Sequence, residues 1–135
     1  MDNHFFESAS EGIFMFKGGN AVVYGNKIYS NYDGIVLNQS FPDLKFNKVC
    51  SNKENGIMLM RDSDPQLQFN EIKDNLGIGV YVRDISEPEI RENHIIFNQI
   101  DFASENASVE VDQVKNSNFV GKNLYRLPTN KCRIF

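Results

Sequence analysis

Asp64-Pro65-Gln66-Leu67-Gln68-Phe69-Asn70-Glu71-Ile72-Lys73-Asp74-Asn75-Leu76-Gly77-Ile78-Gly79-Val80-Tyr81-Val82 reads as three short strands separated by turns. Apolar residues alternate along Pro-x-Leu, along Asn-x-Ile and along Gly79-Val80-x-Val82. Each run is too short for a helix and is bounded by Pro, Asn or Gly. The stretch before it repeats the pattern as Pro42, Leu44, Asn47, Val49, Asn52, Gly56, Ile57 and Leu59, and the stretch after it begins again at Pro88, Ile90, Asn93 and Ile95. Extended along the chain, the frame Asn-x-apolar-x-x-Asn starts at Asn3, Asn26, Asn47, Asn70, Asn93 and Asn118, in steps of 23, 21, 23, 23 and 25 residues. Five of the six frames close on a second asparagine (Asn31, Asn52, Asn75, Asn98, Asn123), with Ser8 in the first, so 11 of the 17 asparagines fall in two columns. A unit this short cannot bury an apolar face by itself and must stack on its neighbours.

The expected fold is all-β: a right-handed parallel β-helix, a solenoid of about six coils with three short strands per coil. Inward ladders should be Val23/Leu44/Leu67/Ile90, Phe5/Ile28/Val49/Ile72/Ile95/Val120, and Ile13/Ile35/Ile57/Val80 beside Met15/Leu37/Leu59/Val82. Asparagine suits the corners because it tolerates positive φ and its amide can bond the copy above. Gly12, Gly34, Gly56 and Gly79 mark a third corner for the same steric reason. Residues 1–135 form one domain, with 98–135 less regular: Ala107 stands where a corner glycine is expected, Asp101 to Glu105 reads as a small excursion, and Pro128 stops the last strand. Nothing before Asn3 caps the first coil. That implies a fragment, or an N-terminal end covered by a partner.

Charge is segregated along the chain. All 18 acids and 9 of the 14 Lys and Arg lie in residues 1–112, leaving Lys115, Lys122, Arg126, Lys131 and Arg133 in an acid-free C-terminal end. An acidic body disfavours nucleic acid as a partner, since that affinity comes from cations meeting phosphate. Cys50 and Cys132 do not make a disulfide framework. No run approaches membrane-spanning length and no signal peptide is visible, so the expected location is cytoplasmic or nuclear, without a membrane partner. Asn38-Gln39-Ser40 and Asn106-Ala107-Ser108 match the glycosylation acceptor pattern, as chance allows in so asparagine-rich a chain.

The pattern Pro-x-apolar-x-x-Asn-x-apolar-x-x-Asn-x-x-x-Gly-apolar-x-apolar, held best over residues 41–98, resembles the β-helix repeats of the pectate-lyase-like superfamily. In style it is most similar to the β-helices of F-box proteins, of SHC SH2-domain-binding proteins and of NosD-like proteins. The resemblance implies the fold. It leaves activity open, because the superfamily includes polysaccharide lyases, hydrolases, epimerases and domains without catalysis.

Sugar-cleaving β-helices group carboxylates with cations on one outer face, to remove a proton while neutralising an acidic sugar. The nearest equivalent is the corner before each proline, where Asp62, Asp64, Asp84 and Glu87 lie on successive coils with Arg61 and Arg83 alongside. They better suit solvated turns, Asp being a good turn former beside Pro. His4 and His94 share a column but stand four coils apart, nearly 20 Å at about 4.8 Å per coil. Cys50 has no histidine or second cysteine in register. Lys17-Gly18-Gly19-Asn20 precedes no helix and reads as a plain turn. No catalytic residue, metal or cofactor is therefore expected, and the chain is read as not an enzyme.

One outer face is anomalous. Residues pointing out of the glycine-initiated strands should be polar, yet they are Phe14, Val36, Met58 and Tyr81, flanked by Phe16 and Met60. The expected function is a non-catalytic protein-interaction or scaffold module, in one version a substrate receptor, binding a protein partner or self-associating through that stripe. The alternative is a carbohydrate-binding or carbohydrate-modifying β-helix, with polysaccharide held by Phe14, Tyr81 and the corner carboxylates.

Overall fold

The computed structural model describes residues 1–106, 109–121 and 124–126. The chain winds through four full coils: β1 (His4–Phe6), β2 (Glu11–Phe16), β3 (Val22–Tyr24); β4 (Lys27–Tyr29), β5 (Asp33–Asn38), β6 (Asp43–Lys45); β7 (Lys48–Cys50), β8 (Ile57–Met60), β9 (Gln66–Gln68); and β10 (Glu71–Lys73), β11 (Ile78–Val82), β12 (Glu89–Arg91). A fifth follows as β13 (His94–Ile96), β14 (Ile100–Ser104) and a helix, α1 (Val111–Ser117), before β15 (Phe119–Val120) and β16 (Leu124–Arg126). Like strands pair with like in parallel. Sheet A is β1-β4-β7-β10-β13-β15, sheet B is β2-β5-β8-β11-β14-β16 and sheet C is β3-β6-β9-β12. The inward ladders keep the expected register, with Ile72 between Val49 and Ile95, Leu67 between Leu44 and Ile90, and Ile57 between Ile35 and Val80. Ile28, Leu44, Val49, Ile57, Leu67, Ile72 and Ile95 are fully buried, whereas the side chains of Lys48 and Glu71 are 43% and 40% exposed.

Two asparagine ladders run through the corners on either side of sheet A. In the first, the Oδ1 of Asn26, Asn47, Asn70, Asn93 and Asn118 each accepts the backbone N–H and the side-chain amide of the asparagine one coil earlier, at 2.9–3.4 Å. The amides of Asn47, Asn70, Asn93 and Asn118 also donate to the carbonyls of Val23, Leu44, Leu67 and Ile90. Every polar atom of the buried amide is thus used, which offsets its desolvation. The second ladder runs from Ser8 through Asn31, Asn52, Asn75 and Asn98 and ends on Oδ1 of Asp101. Asn123, the expected next rung, lies outside the described residues. A third, shorter ladder of buried serines joins Ser40 to Ser63 and Ser63 to Ser86 through hydroxyls that accept backbone N–H groups.

The corners differ from the sequence-based expectation in two respects. The left-handed residue is the one before the ladder position: Phe46, Phe69 and Glu92 in one column, Ser30, Ser51, Asp74 and Phe97 in the other, all with φ of 55–60°. The asparagine itself turns inward from an ordinary backbone. The glycine column is likewise not left-handed. Gly56 is required because an added Cβ would lie 2.6 Å from the Gly79 carbonyl oxygen and 2.8 Å from the Asn75 amide nitrogen. The ladder occupies the space a side chain would need.

In the fifth coil Asp101 holds the corner position in register between Ile100 and Phe102, and Asp101 to Glu105 belong to β14 and its continuation, not to an excursion. Ala107 and Pro128 lie outside the described residues. The departure comes one slot later, where α1 replaces the fifth strand of sheet C. Residues 111–117 contain no Pro or Gly, and Val111 and Val114, three apart on one helix face, join Val109 against the core. The Ser117 carbonyl accepts the Glu92 N–H at 2.6 Å, as the Glu92 carbonyl accepts that of Phe69. No described helix is long and apolar enough to cross a membrane.

Candidate functional site

The outer face of sheet B carries the anomalous stripe. Phe14, Val36, Met58 and Tyr81 are consecutive register partners, and the column continues to Ala103. Phe16 and Met60 flank it, with Asn38 between them in register. Exposure along the stripe is uneven. Phe14 and Phe16 are 52% and 51% exposed, with rings 6.1 Å apart and nearly parallel, whereas Val36 is only 3% exposed. A short side chain between Phe14 and Met58 is covered by its taller neighbours, which strand spacing alone does not reveal. Met58 and Met60 are half-buried. The Tyr81 hydroxyl donates to Glu105 at 2.7 Å, and the Arg83 guanidinium lies 5.7 Å from the Tyr81 ring centre. The face therefore divides into an apolar half over the first three coils and a polar half built on Tyr81, Arg83 and Glu105.

The corner carboxylates are used locally. Asp84 accepts the backbone N–H of Arg61 at 3.0 Å, and Asp64 that of Glu87 at 2.8 Å. Arg61, Asp62 and Asp84 all sit at left-handed turn positions. Arg83 directly follows β11, and its guanidinium approaches Glu105 at 3.8 Å. Asp64 and Asp84 thus act as turn caps, each with one oxygen on a backbone N–H.

His4 and His94 occupy one column at its first and fifth positions, with Lys27, Lys48 and Glu71 between them. Cys50 is half-buried, and burial raises its thiol pKa, which holds it in the less nucleophilic protonated form. Among the described residues no group of three His, Cys, Asp or Glu side chains is placed to hold a metal ion. Lys17 and Gly18 form a left-handed turn. Of the two glycosylation-pattern residues, Asn38 is buried.

A feature not anticipated lies at the corner between sheets C and A. Tyr24, Phe46 and Phe69 form a ring column with centroids 5.3 and 4.9 Å apart, each ring 41–51% exposed. The dipeptides Phe46-Asn47 and Phe69-Asn70, spaced by one coil, carried the signal. So did Ser40-x-Pro42, Ser63-x-Pro65 and Ser86-x-Pro88 for the serine ladder.

Comparison with curated proteins and with solved structures returns no match. The family model described as the right handed beta helix region matches residues 1–131. Given the parallel three-strand coils and that match over nearly the whole length, the chain belongs to the right-handed β-helix family.

Proposed function

We propose that this domain is a non-catalytic β-helical scaffold that docks a protein partner on the apolar half of sheet B's outer face. The observation that carries the reading is the half-exposed, nearly parallel Phe14 and Phe16 pair, continued by Met58 and Met60. Exposed aromatic anchors on a rigid support lose little conformational entropy when a partner covers them. A substrate-receptor role is one form of this function. The engagement of Asp64 and Asp84 with backbone N–H groups supports it over carbohydrate modification, because it accounts for both carboxylates as turn caps.

The test is Phe14→Lys combined with Met58→Lys. Phe14 is half-exposed and Met58 half-buried, and the aliphatic stem of Lys keeps cover over Val36, so each change should cost no more than about 1 kcal/mol. Thermal melting should stay close to the parent, while self-association in sedimentation or capture of protein partners should fall sharply. A double variant that keeps its partners, or a parent that retains only polysaccharide, would overturn the reading.

A further inference from the structure

A second surface stands apart from sheet B. Over β4, β7 and β10 the six outward residues of sheet A are Lys27, Tyr29, Lys48, Cys50, Glu71 and Lys73. Three cations face one carboxylate there, on a body that through residue 112 has 18 acids to 9 bases. Lys27 and Lys48 are direct register partners, an arrangement that destabilises a sheet through like-charge repulsion. Glu71 does not relieve it evenly. It is held by Lys73 at 2.8 Å and lies 3.9 Å from Lys48, and among the described residues Lys27 has no ion pair. Hydrogen bonding from Lys73 lowers the Glu71 pKa, so this carboxylate stays ionised and committed to that lysine.

Aromatic rings lie on both sides of this column, and Phe46 and Phe69 line a shallow depression with Glu71, Glu92 and His94. Tyr29 stacks on Phe6 at 5.2 Å with 3° between planes, and Phe46 stacks on Phe69 at 4.9 Å with 10°, beside Lys45 at the end of β6. Within each pair one face of each ring is already occupied by the other ring. Sugars and nucleic-acid bases bind aromatic side chains by their faces. Apolar side chains of a peptide pack against ring edges in many orientations. We propose that the outer face of sheet A, centred on Lys27 and Lys48 and bordered by Tyr29, Phe46 and Phe69, binds an acidic segment of a partner protein in which Asp or Glu is interspersed with apolar residues. The anion neutralises the opposed lysines, and the apolar residues cover the ring edges. This surface is distinct from the Phe14 stripe and does not depend on it.

The experiment uses a fluorescein-labelled peptide of alternating Asp and Phe and its Asn-for-Asp counterpart, titrated with the whole protein and followed by anisotropy at low and high salt. The acidic peptide should bind at least about tenfold more tightly, with the advantage shrinking in high salt. Lys27→Gln with Lys48→Gln should remove about tenfold of that affinity, as should Phe46→Ala with Phe69→Ala. Lys53→Gln, an exposed change outside the face, should leave it unchanged. Melting curves confirm that each variant folds, and Lys27→Gln alone, at an exposed position, should reproduce part of the loss. Equal binding of the two peptides, full binding by the lysine variants, or tighter binding of oligothymidylate or polygalacturonate at the same ionic strength would overturn the proposal. Because Phe14→Lys with Met58→Lys should not affect this assay, failure here and failure of the sheet B interface are separable.

Discussion

Asn70 uses all of its side chain: Oδ1 takes the N–H and amide of Asn47, and Nδ2 reaches Asn93 and the Leu44 carbonyl at 2.7 Å. At 2% exposure no water replaces those partners. Asn70→Ala should therefore destabilise by roughly 1–3 kcal/mol, read from denaturant midpoints, with the stranded N–H of Asn47 supplying much of the loss. Asp33 is the opposite case. It is buried, accepts the Asn55 N–H at 3.0 Å and stands in register with Glu11. Burial raises its carboxyl above the usual range, against the lowering effect of the Asn55 bonds, and Glu11 adds to the rise. A carboxyl whose folded pKa exceeds its unfolded value binds protons more tightly when folded, so stability falls as pH rises through that interval. Asp33→Asn keeps an acceptor for Asn55 and removes the buried charge. Its melting temperature should match or exceed the parent's at neutral pH, with the difference shrinking as the pH falls below the carboxylate range.

At the scale of one coil, the glycine column and the second asparagine ladder occupy the same corner and restrict each other. Gly56→Ala forces a methyl against the Gly79 carbonyl and the Asn75 amide, which should cost about 1–3 kcal/mol in chemical denaturation. A cost near zero would mean that the coils can separate locally. The coil was readable in the sequence because Asn, Gly and β-branched residues recur at a fixed period, and the inward register followed residue by residue. Which corner residue takes positive φ was not readable, since Phe46, Ser51 and Asp74 share no chemical type and owe the conformation to the bend alone. Helix α1 was missed for a related reason: Val111 and Val114 fit a helix face in isolation, but only the end of sheet C shows what they cover.

Across the whole molecule, inward positions hold the stack and outward positions are left for contact. Ile72→Asp would put an unpaired charge into a fully buried ladder and should lower the melting temperature by an amount corresponding to several kcal/mol. The outward surface was only partly legible. The Phe14 stripe followed from alternation and the Lys27/Lys48 opposition from the 21-residue step between Asn26 and Asn47, whereas the burial of Val36 depends on neighbouring side-chain heights. Both proposed interfaces need a scaffold whose corners do not fray, so the ladders are the claim on which the rest stands. Amide hydrogen exchange of the isolated protein tests it most directly. The N–H groups of Asn26, Asn47, Asn52, Asn70 and Asn75, although at turns, should exchange as slowly as those of Ile28, Val49 and Ile72 in the strands. Exchange at those asparagines as fast as in an exposed loop would contradict the account.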